Sequence, residues 1–337
     1  MSSIMTIKKI LIISHSYDLH VDLLTSLLDD REYPYFRINL DCFPRDYQIT
    51  HKFIGQNQSS SILNLTTGDK IDVDEIGATW VRKPAEFSYI NELSIQEAAF
   101  AKQETEQVLF GLIYSSDCFW MSHPIDMRGA MWKTEQLHRA QKMGFKVPTT
   151  LVTNDPEAVY RFKQNINDEL IYKTLSSPSL AAEDVQNEEV IASSLPTTVI
   201  TEEMLESIDS VSELPCQFQE YVDKEYELRV TIIGDRVFTT RINSQEDSRT
   251  AVDCRDMSAE ITYQAIELPE VIKARCLAFV GSYNLNYSAI DIIVTKRGDY
   301  VFLENNPNGQ FLYIEQLVPE YNLIEAMADV LIKEAKC

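Results

Sequence analysis

The stretch VFLENNPNG at residues 301–309 places an apolar strand directly before a carboxylate, two asparagines, a proline and a third asparagine. The preceding run SAIDIIV is apolar except for Asp291, and Arg297 with Gly298 lies between the two runs as a hairpin signal. If those two residues form the whole loop, Lys296 pairs with Asp299 and Asp291 lies directly opposite Glu304. The pattern therefore predicts two acidic side chains that face each other on a β-ribbon.

Two like charges that face each other destabilise a sheet and raise the pKa of one carboxylate, and a bound divalent cation removes both costs. Asn306 shares a face with Glu304 because side chains alternate along a strand. Oxygen ligands from two carboxylates and an amide suit Mg²⁺, which then carries the phosphates of ATP. The alternatives are a polar sheet edge in solvent and a carboxylate that caps a turn.

If ATP binds, its phosphates need a binding site, and the sequence predicts one that does not use a glycine-rich loop. The chain has ten glycines, no two of them closer than nine residues, so the P-loop, the kinase glycine-rich loop and the dinucleotide fingerprint are all excluded. Lys173 lies in the apolar strand LIYKTL and needs an anionic partner there, unless it lies on an edge strand with its ammonium in water. Lys133 begins the helical pattern KTEQLHRAQKM, which a solvated helix face explains equally well. The strand QFQEYV leaves its sheet at Tyr221 and Val222, where free backbone groups can bind an adenine edge.

The fold class follows from the order of apolar patterns along 337 residues, a length that indicates two or three domains. KILIISH, an amphipathic stretch over 18–28 and YFRINLD form a parallel α/β start. Helical patterns follow at 96–113 and 133–144, and a small α/β region at 147–222 contains a loop near 176–190. Hairpin signals at Gly234 with Asp235 and at Arg297 with Gly298 come next, and a helix over 322–335 closes the core. We divide this mixed α/β chain at 1–122, 123–222 and 223–337.

Composition excludes several classes of function. The net charge of −22 argues against binding to nucleic acid or to anionic membranes, and no run of uncharged apolar residues is long enough to span a bilayer. The N-terminus lacks a signal-peptide pattern, and six scattered cysteines indicate reduced thiols of a cytoplasmic protein. The five histidines show no metal-site spacing and are predicted to be exposed or hydrogen-bonded.

Taken in order, MWKTEQL, LIYKTL, QFQEYV, YELRVTIIG, YSAIDIIV and FLENNPNGQF resemble the ATP-grasp superfamily over roughly residues 120–335. ATWVRKP, RINSQ and NPNGQF are similar to patterns of the microviridin-type ligases, the graspetide synthetases that modify ribosomally made peptides. The resemblance implies an ATP-grasp fold preceded by a parallel-sheet pre-ATP-grasp domain.

The resemblance also implies an ATP site. Two lysines would contact the phosphates, three consecutive residues would form the adenine hinge through their backbone, and a glutamate would bind the ribose. The residues implied are Lys133, Lys173, Glu220, Tyr221, Val222 and Glu227.

For the metal, the resemblance implies Asp291, Glu304 and Asn306 as ligands of Mg²⁺, with two ions expected. Asn305 replaces the apolar residue common in relatives and is predicted to face away from the metal. The residues implied to face the phosphoryl-transfer centre are Arg229, Arg241 and Lys173.

The implied reaction is ATP-dependent activation of an Asp or Glu side chain as an acyl phosphate, followed by attack of a Thr or Ser hydroxyl or a Lys amine within the same peptide. The substrate would be a precursor peptide with a leader, expected near residues 190–222, and an acidic core. Arg82 and Lys83 are candidates to bind the core, with ordinary surface charge as the alternative, and the acidic stretch 183–189 is a candidate lid. A homodimer is also implied. The rival readings are a ligase that adds an amino acid to a peptide or protein, a small-metabolite carboxylate-amine ligase, and a nucleotide sensor without turnover.

Overall fold

A computed structural model describes residues 7–83, 85–176, 179–180, 193–256 and 258–336. The first third of the chain contains two sheets and two long helices. Its elements are β1 (Lys9–Ser14), α1 (Leu19–Asp30), β2 (Tyr35–Asn39), β3 (Tyr47–Ile54), β4 (Asn57–Asn64), β5 (Lys70–Asp72), β6 (Ile76–Val81), α2 (Ile95–Tyr114) and β7 (Phe119–Trp120).

The parallel sheet has the strand order β2-β1-β6-β7, which confirms the predicted α/β start. Strand β1 is central, and its residues 10–13 are all fully buried because both faces of the sheet are covered. Asp18 caps α1 by accepting a hydrogen bond from the His20 backbone N–H. Strands β3, β4 and β5 form a separate antiparallel sheet that the sequence patterns did not predict.

The middle of the chain contains an antiparallel sheet of strand order β12-β9-β13-β8 and several short helices. The acidic stretch 183–189, predicted as a lid, lies outside the described residues. The elements are α3 (Pro124–Gly129), α4 (Lys133–Lys142), β8 (Thr150–Thr153), α5 (Pro156–Asn165), β9 (Leu170–Lys173), β10 (Ser179–Leu180), β11 (Ser193–Ser194), β12 (Thr198–Val199), α6 (Glu202–Glu206) and β13 (Cys216–Glu220).

The last third contains an antiparallel sheet of strand order β16-β15-β14-β17-β18. Its elements are β14 (Lys224–Ile233), β15 (Arg236–Ile242), β16 (Tyr263–Ile266), α7 (Glu270–Gly281), β17 (Tyr287–Thr295), β18 (Tyr300–Asn306), α8 (Leu312–Leu317) and α9 (Leu323–Ala335).

Two hydrophobic clusters fix this sheet in the molecule. On one face, Ile290, Ile292 and Phe302 pack with residues of α4 and α7. Helix α9 packs on β6, where a Cβ atom at Gly77 would lie only 2.5 Å from the Ala335 carbonyl oxygen. The close approach requires glycine at this position, and it joins the C-terminal helix to the N-terminal parallel sheet.

The two predicted hairpins differ in loop length. Gly234 and Asp235 form a two-residue loop between β14 and β15, as predicted. The loop between β17 and β18 has three residues, 296–298, because the Thr295 N–H donates to the Asp299 carbonyl at 3.0 Å. The predicted pairing of Lys296 with Asp299 is therefore wrong. Gly298 supplies the left-handed residue, at φ +79°, that such a loop requires.

A β-bulge restores the pairing that the wrong loop length had predicted. Ile292 pairs with Phe302 whereas Asp291 pairs with Glu304, so Leu303 is an extra residue on β18. In an unbroken strand Phe302 and Glu304 would share a face. The bulge separates them, with Phe302 in the hydrophobic cluster and Glu304 on the opposite face.

No helix among the described residues combines the length and apolar character that a bilayer span requires. His20 is buried and hydrogen-bonded, in agreement with the expectation for a histidine outside a metal site.

Candidate active site

A pair of acidic side chains lies on the face of the C-terminal sheet opposite α4 and α7. Asp291 and Glu304 are directly opposite each other in the ladder, which confirms the predicted register. Their side chains are each 24% exposed, so they line an open cleft and do not form part of the core. The Asn306 amide nitrogen lies 3.1 Å from Asp291 Oδ2 and 3.4 Å from Glu304 Oε1. Asn306 therefore contacts both carboxylates, and the three predicted metal ligands lie together.

Cationic side chains surround this pair. Arg229, on the neighbouring strand β14, donates from Nη1 to both carboxylate oxygens of Asp291 at 2.7 and 2.8 Å. Lys133, the first residue of α4, places Nζ 3.2 Å from Glu304 Oε2 and also donates to the Thr174 carbonyl. Lys173 ends β9 and is close enough for its charge to lower the pKa of both carboxyl groups. Three elements thus bring their cations to one cleft.

The two carboxyl groups have opposite pKa shifts. Burial raises the pKa of Asp291, and the charges of Glu304 and Glu227 raise it further, so that the opposing charge of Arg229 does not restore the ordinary value. Burial also acts to raise the pKa of Glu304, but Lys173, Lys133 and the Asn306 amide outweigh it, and the pKa of Glu304 lies below its usual range. Asp291 therefore lacks part of the positive charge that its ionised form requires.

This donor set fits Mg²⁺. The described residues contain no group of three or more His, Cys, Asp or Glu side chains that could enclose a metal ion. Mg²⁺ needs no such cage, because it binds through one or two carboxylates and keeps water and substrate phosphates as its other ligands. Rotation of the Asn306 amide, whose nitrogen and oxygen are assigned by hydrogen bonding, would add an oxygen ligand. A divalent cation here would also lower the raised pKa of Asp291.

The segment predicted as the adenine hinge connects β13 to β14. The Glu220 N–H donates to the Thr149 carbonyl at 3.0 Å, and the Tyr221 N–H donates to the Glu169 carbonyl at 2.7 Å. These bonds hold the hinge against β8 and the start of β9. They leave Val222 as the hinge residue whose N–H we propose for the adenine edge.

Glu227, the predicted ribose ligand, is 8% exposed. Its carboxylate accepts a 2.6 Å hydrogen bond from the ammonium of Lys224, which also donates to the Val252 carbonyl. A ribose hydroxyl would therefore meet a carboxylate that Lys224 already holds in place. The sequence reading did not single out Lys224.

Arg241 is not brought to the carboxylate pair. It pairs across the ladder with Leu228, whose side chain belongs to the cluster on the α7 face, and its guanidinium stacks over the Tyr226 ring at 3.9 Å. Its Nε donates to Asn243 Oδ1 at 2.7 Å. Residues directly opposite share a face, so the structure does not support the predicted place of Arg241 beside the phosphoryl-transfer centre.

Arg82 is only 1% exposed, so the surface-charge interpretation is wrong for this residue, and a direct contact with a core peptide is not supported either. It lies beyond the end of β6, in contact with His20 and Asn308. Lys83 is half-buried, and its charge contributes to lowering the pKa of His20.

Arg255 is a further cation near the pair that the sequence did not indicate. It forms an ion pair with Asp253, and Glu304 is close enough to contribute to raising the pKa of Arg255. The Asp253 carboxylate also accepts a hydrogen bond from the Thr197 N–H at 2.9 Å. Asp253 and Arg255 lie in the long connection between β15 and β16. The sequence there has no periodic pattern, so its charged residues cannot be distinguished from those of a solvated loop.

Asn305 has the orientation that the sequence predicted. It is 2% exposed on the face opposite Glu304, and its Oδ1 accepts a hydrogen bond from the Ser288 hydroxyl at 2.6 Å. Its backbone N–H and carbonyl both bond to the Gln136 side chain of α4. Gln136 thus fixes α4, and with it Lys133, relative to the metal-binding strand.

Comparison with known proteins finds similar sequences and folds. Residues 9–128 match the family model of the MvdD pre-ATP grasp domain. The chain is similar to a RiPP-associated ATP-grasp ligase from Chryseobacterium gregarium, solved with ADP, a leader and a core peptide, with a TM-score of 0.86 and 28% identity over 97% of both chains. No curated protein matches in sequence.

Two further structures are similar over almost the full length. The macrocyclase MdnC from Microcystis aeruginosa MRC, bound with its precursor peptide MdnA, gives a TM-score of 0.83 and 28% identity over 96% of this chain and 99% of that one. The ATP-grasp ligase PsnB, complexed with a minimal precursor, Mg and ADP, gives a TM-score of 0.74 and 22% identity over 97% of both chains. This similarity shows a shared fold. The chain is thus an ATP-grasp ligase similar to these RiPP-associated enzymes, and its residues 9–128 match the MvdD pre-ATP-grasp domain.

Proposed function

We propose that this protein is an ATP-dependent macrocyclase of a ribosomally made precursor peptide. It would activate Asp or Glu side chains of an acidic core as acyl phosphates for attack by a Thr or Ser hydroxyl or by a Lys amine. The observation that carries the proposal is the half-open acidic pair Asp291 and Glu304, surrounded by Arg229, Lys133 and Lys173. ATP and Mg²⁺ are the cosubstrate and the ion that suit this set, and the number of ions, two, is part of the proposal.

Asp291, Glu304 and Asn306 would hold Mg²⁺, which when bound neutralises phosphate charge. Phosphoryl transfer needs positioning and charge neutralisation more than covalent participation of the protein. Lys133 and Lys173 approach the cleft from α4 and β9 and are suited to hold the phosphates. Arg229 is held by its ion pair with Asp291 and is suited to stabilise the charge of the transferred group.

Two steps complete the proposed reaction. A substrate carboxylate oxygen attacks the γ-phosphorus of ATP, and the bond to the β-phosphate bridging oxygen breaks, which releases ADP. A hydroxyl or amine of the same peptide then attacks the acyl carbon, loses its proton and displaces phosphate. The second step is intramolecular, so exclusion of water and correct orientation favour ring closure over hydrolysis.

The peptide substrate is proposed from the relatives, since the structures of the Chryseobacterium ligase and of MdnC contain a leader or precursor peptide. A leader would supply affinity away from the reacting groups and keep the core near the cleft through several closures. We place it near residues 190–222. The domain boundaries, the homodimer and the cytoplasmic location remain predictions.

Mass spectrometry of the peptide product tests the proposal. The protein is incubated with ATP, Mg²⁺ and an acidic peptide encoded beside it, and we expect each ring closure to lower the peptide mass by one water while one ADP is released. A gain in peptide mass would instead indicate a ligase that adds an amino acid. Absence of any ADP release with the peptide present would contradict the macrocyclase function.

A further inference from the structure

A buried charged network lies at the carboxyl ends of the parallel strands, away from the metal site. Asp18 accepts hydrogen bonds from the Ser14 hydroxyl at 2.6 Å and from the His20 N–H at 3.1 Å. His20 Nδ1 lies 3.3 Å from Asp18, and Arg82 Nη2 lies 3.1 Å from His20 Nε2. The side chains of Asp18 and Arg82 are each 1% exposed. A network of this kind needs a reason, since burial of charge is costly.

The network reaches across to the chain that follows the metal ligands. We call residues 307–313 the strand-exit segment. Arg82 Nη1 donates to the Asn308 carbonyl at 3.0 Å, and the Asn308 amide donates to the Arg82 carbonyl. The backbone N–H groups of Phe311 and Leu312 point to His20 Nε2 at 3.3 and 3.4 Å. These contacts attach the segment to His20 of α1 and to Arg82 at the end of β6.

The strand-exit segment in turn contacts the candidate active site at both ends. The Gly309 N–H donates to the Asn306 carbonyl at 3.2 Å, and a Cβ atom at Gly309 would lie 3.0 Å from the Ala289 Cβ atom, so the segment has little room to shift. At the other end, the Tyr313 hydroxyl lies 3.2 Å from Arg229 Nε. Arg229 is the partner of Asp291, so movement of the segment would change both a predicted metal ligand and the cation beside it.

We propose that His20 and Arg82 are positioning residues that fix the strand-exit segment, and through it Asn306 and Arg229, for phosphoryl transfer. This inference rests on the proposed function, because it assigns the two residues to the same site. In this proposal Arg82 acts by holding Asn308 in place and not by binding the peptide core. It also gives the pre-ATP-grasp domain a direct part in the reaction, since His20 lies in α1 and Arg82 directly follows β6.

The protonation of His20 suits the role. Its Nε2 faces three donors, Arg82 Nη2 and the Phe311 and Leu312 N–H groups, so the ring proton belongs on Nδ1, where it can donate to Asp18. Burial lowers the pKa of His20, and the charges of Arg82 and Lys83 lower it further against the effect of Asp18. A neutral ring of one tautomer is an acceptor of fixed direction, which is what the Phe311 and Leu312 amides require.

Two measurements on the full-length protein test the inference. The variants are His20→Ala, His20→Gln, which keeps an acceptor oxygen, and Asn308→Ala, which removes the two contacts of the Asn308 side chain with Arg82 and leaves the bond from Arg82 Nη1 to the Asn308 backbone carbonyl. Arg31→Gln is the matched control, because Arg31 joins α1 to Asp329 of α9 at 2.8 Å without contact to the strand-exit segment. The measurements are amide hydrogen exchange over 307–318 and ADP affinity by calorimetry with Mg²⁺ or with EDTA.

We expect His20→Ala to raise the exchange rate of the Phe311 and Leu312 amides at least about tenfold, since they lose their acceptor. Both His20→Ala and Asn308→Ala should lose most of the Mg²⁺-dependent gain in ADP affinity and keep the affinity measured in EDTA. The kcat of ADP release should fall about 10- to 100-fold with the peptide KM within about threefold of wild type. His20→Gln should restore most of the loss, and Arg31→Gln should match wild type.

An Asn308→Ala protein that keeps wild-type kcat and the full Mg²⁺-dependent gain would overturn the inference, even if His20→Ala failed to fold. So would unchanged exchange in His20→Ala. Failure of the proposed function is a different result, since the wild-type protein itself would then release no ADP with the peptide, whereas the exchange and Mg²⁺-dependence measurements still give an answer.

Discussion

Two clusters of the molecule combine carboxylates with cations, and they differ in burial and in the direction in which the pKa of an aspartate is shifted. The buried network of Asp18, His20 and Arg82 is closed, and hydrogen bonds outweigh burial to hold the pKa of Asp18 well below its usual range. The pair Asp291 and Glu304 is open to the cleft, and the pKa of Asp291 is raised to about 6 although Arg229 contacts both of its oxygens. In the first cluster Asp18 and Arg82 supply each other's opposite charge, with Asp18 Oδ2 3.9 Å from Arg82 Nε. In the second, burial and the charges of Glu304 and Glu227 outweigh Arg229 at Asp291, a balance that a bound metal ion would reverse.

Glu304→Gln gives the largest expected effect, because it removes half of the open pair. We expect ADP release to fall at least about 10³-fold, equivalent to about 4 kcal/mol in the barrier, with the thermal unfolding midpoint little changed. A coupled assay of ADP release and a thermal melt measure the two quantities. Activity near that of wild type would remove Glu304 from the metal site.

Lys173→Met should have the next largest effect. Lys173 lowers the pKa of both carboxyl groups through its charge and not through an ion pair with either, as expected of a side chain that binds phosphate. We expect a loss of about 10²-fold in kcat/KM for ATP. Lys163→Met on α5 is the matched control, since the change is the same and Lys163 was not assigned to the site. Equal kinetics in the two variants would contradict a phosphate role for Lys173.

Asp18→Asn tests the closed cluster, where we expect stability to change. The substitution should cost about 2 kcal/mol at pH 7, since Asn can still cap α1 but leaves Arg82 without its carboxylate. The folded-state pKa of Asp18 is depressed, so its contribution is present above the unfolded-state pKa of about 3.9 and is lost as pH falls below it. Urea unfolding at several pH values should show the wild-type advantage shrink in acid. An advantage that is constant with pH would contradict the ionised state of Asp18.

The smallest effect is expected for an exposed ion pair. Arg31→Gln breaks the contact with Asp329, where both side chains are about one-third exposed, and Arg236 remains as a second partner of that carboxylate. We expect a change of less than about 0.5 kcal/mol in the free energy of unfolding. A loss as large as that of Asp18→Asn would show that exposure does not separate the two kinds of cluster.

The sequence predicted what depends on local pattern. Alternation and apolar runs predicted the parallel start and the Gly234 hairpin but missed the sheet of β3, β4 and β5. The predicted pairing of Asp291 with Glu304 is correct only because the bulge at Leu303 offsets the wrong loop length. The length of the loop between β17 and β18 was predicted wrongly, because the dipeptide Arg297-Gly298 is compatible with a two-residue loop and also with the last two positions of a three-residue loop. The burial of Arg82 could not be predicted, since a cation after an apolar strand is normally solvated. Its partners come from the start of α1, through Asp18 and His20, and from Asn308 of the 307–313 segment, which only the fold brings to it.

The face of Arg241 was also beyond the sequence. Its position depends on the pairing of β15 with β14, where a shift by one residue reverses every side chain. Arg255 lies in a connection without periodic pattern, and its proximity to Glu304 arises only from the folded path of that connection.

Because of the extra residue Leu303, the face on which Glu304 lies depends on whether the number of residues between the loop and Glu304 is odd or even. A single insertion or deletion of one residue between the loop and the ligands would place Glu304 on the hydrophobic face of the sheet. The same arithmetic allows two such errors to cancel, so the loop at 296–298 can be redesigned in length if the bulge is removed or added with it. Anyone who grafts this site onto another β-ribbon should conserve the parity of the intervening segment and not its length.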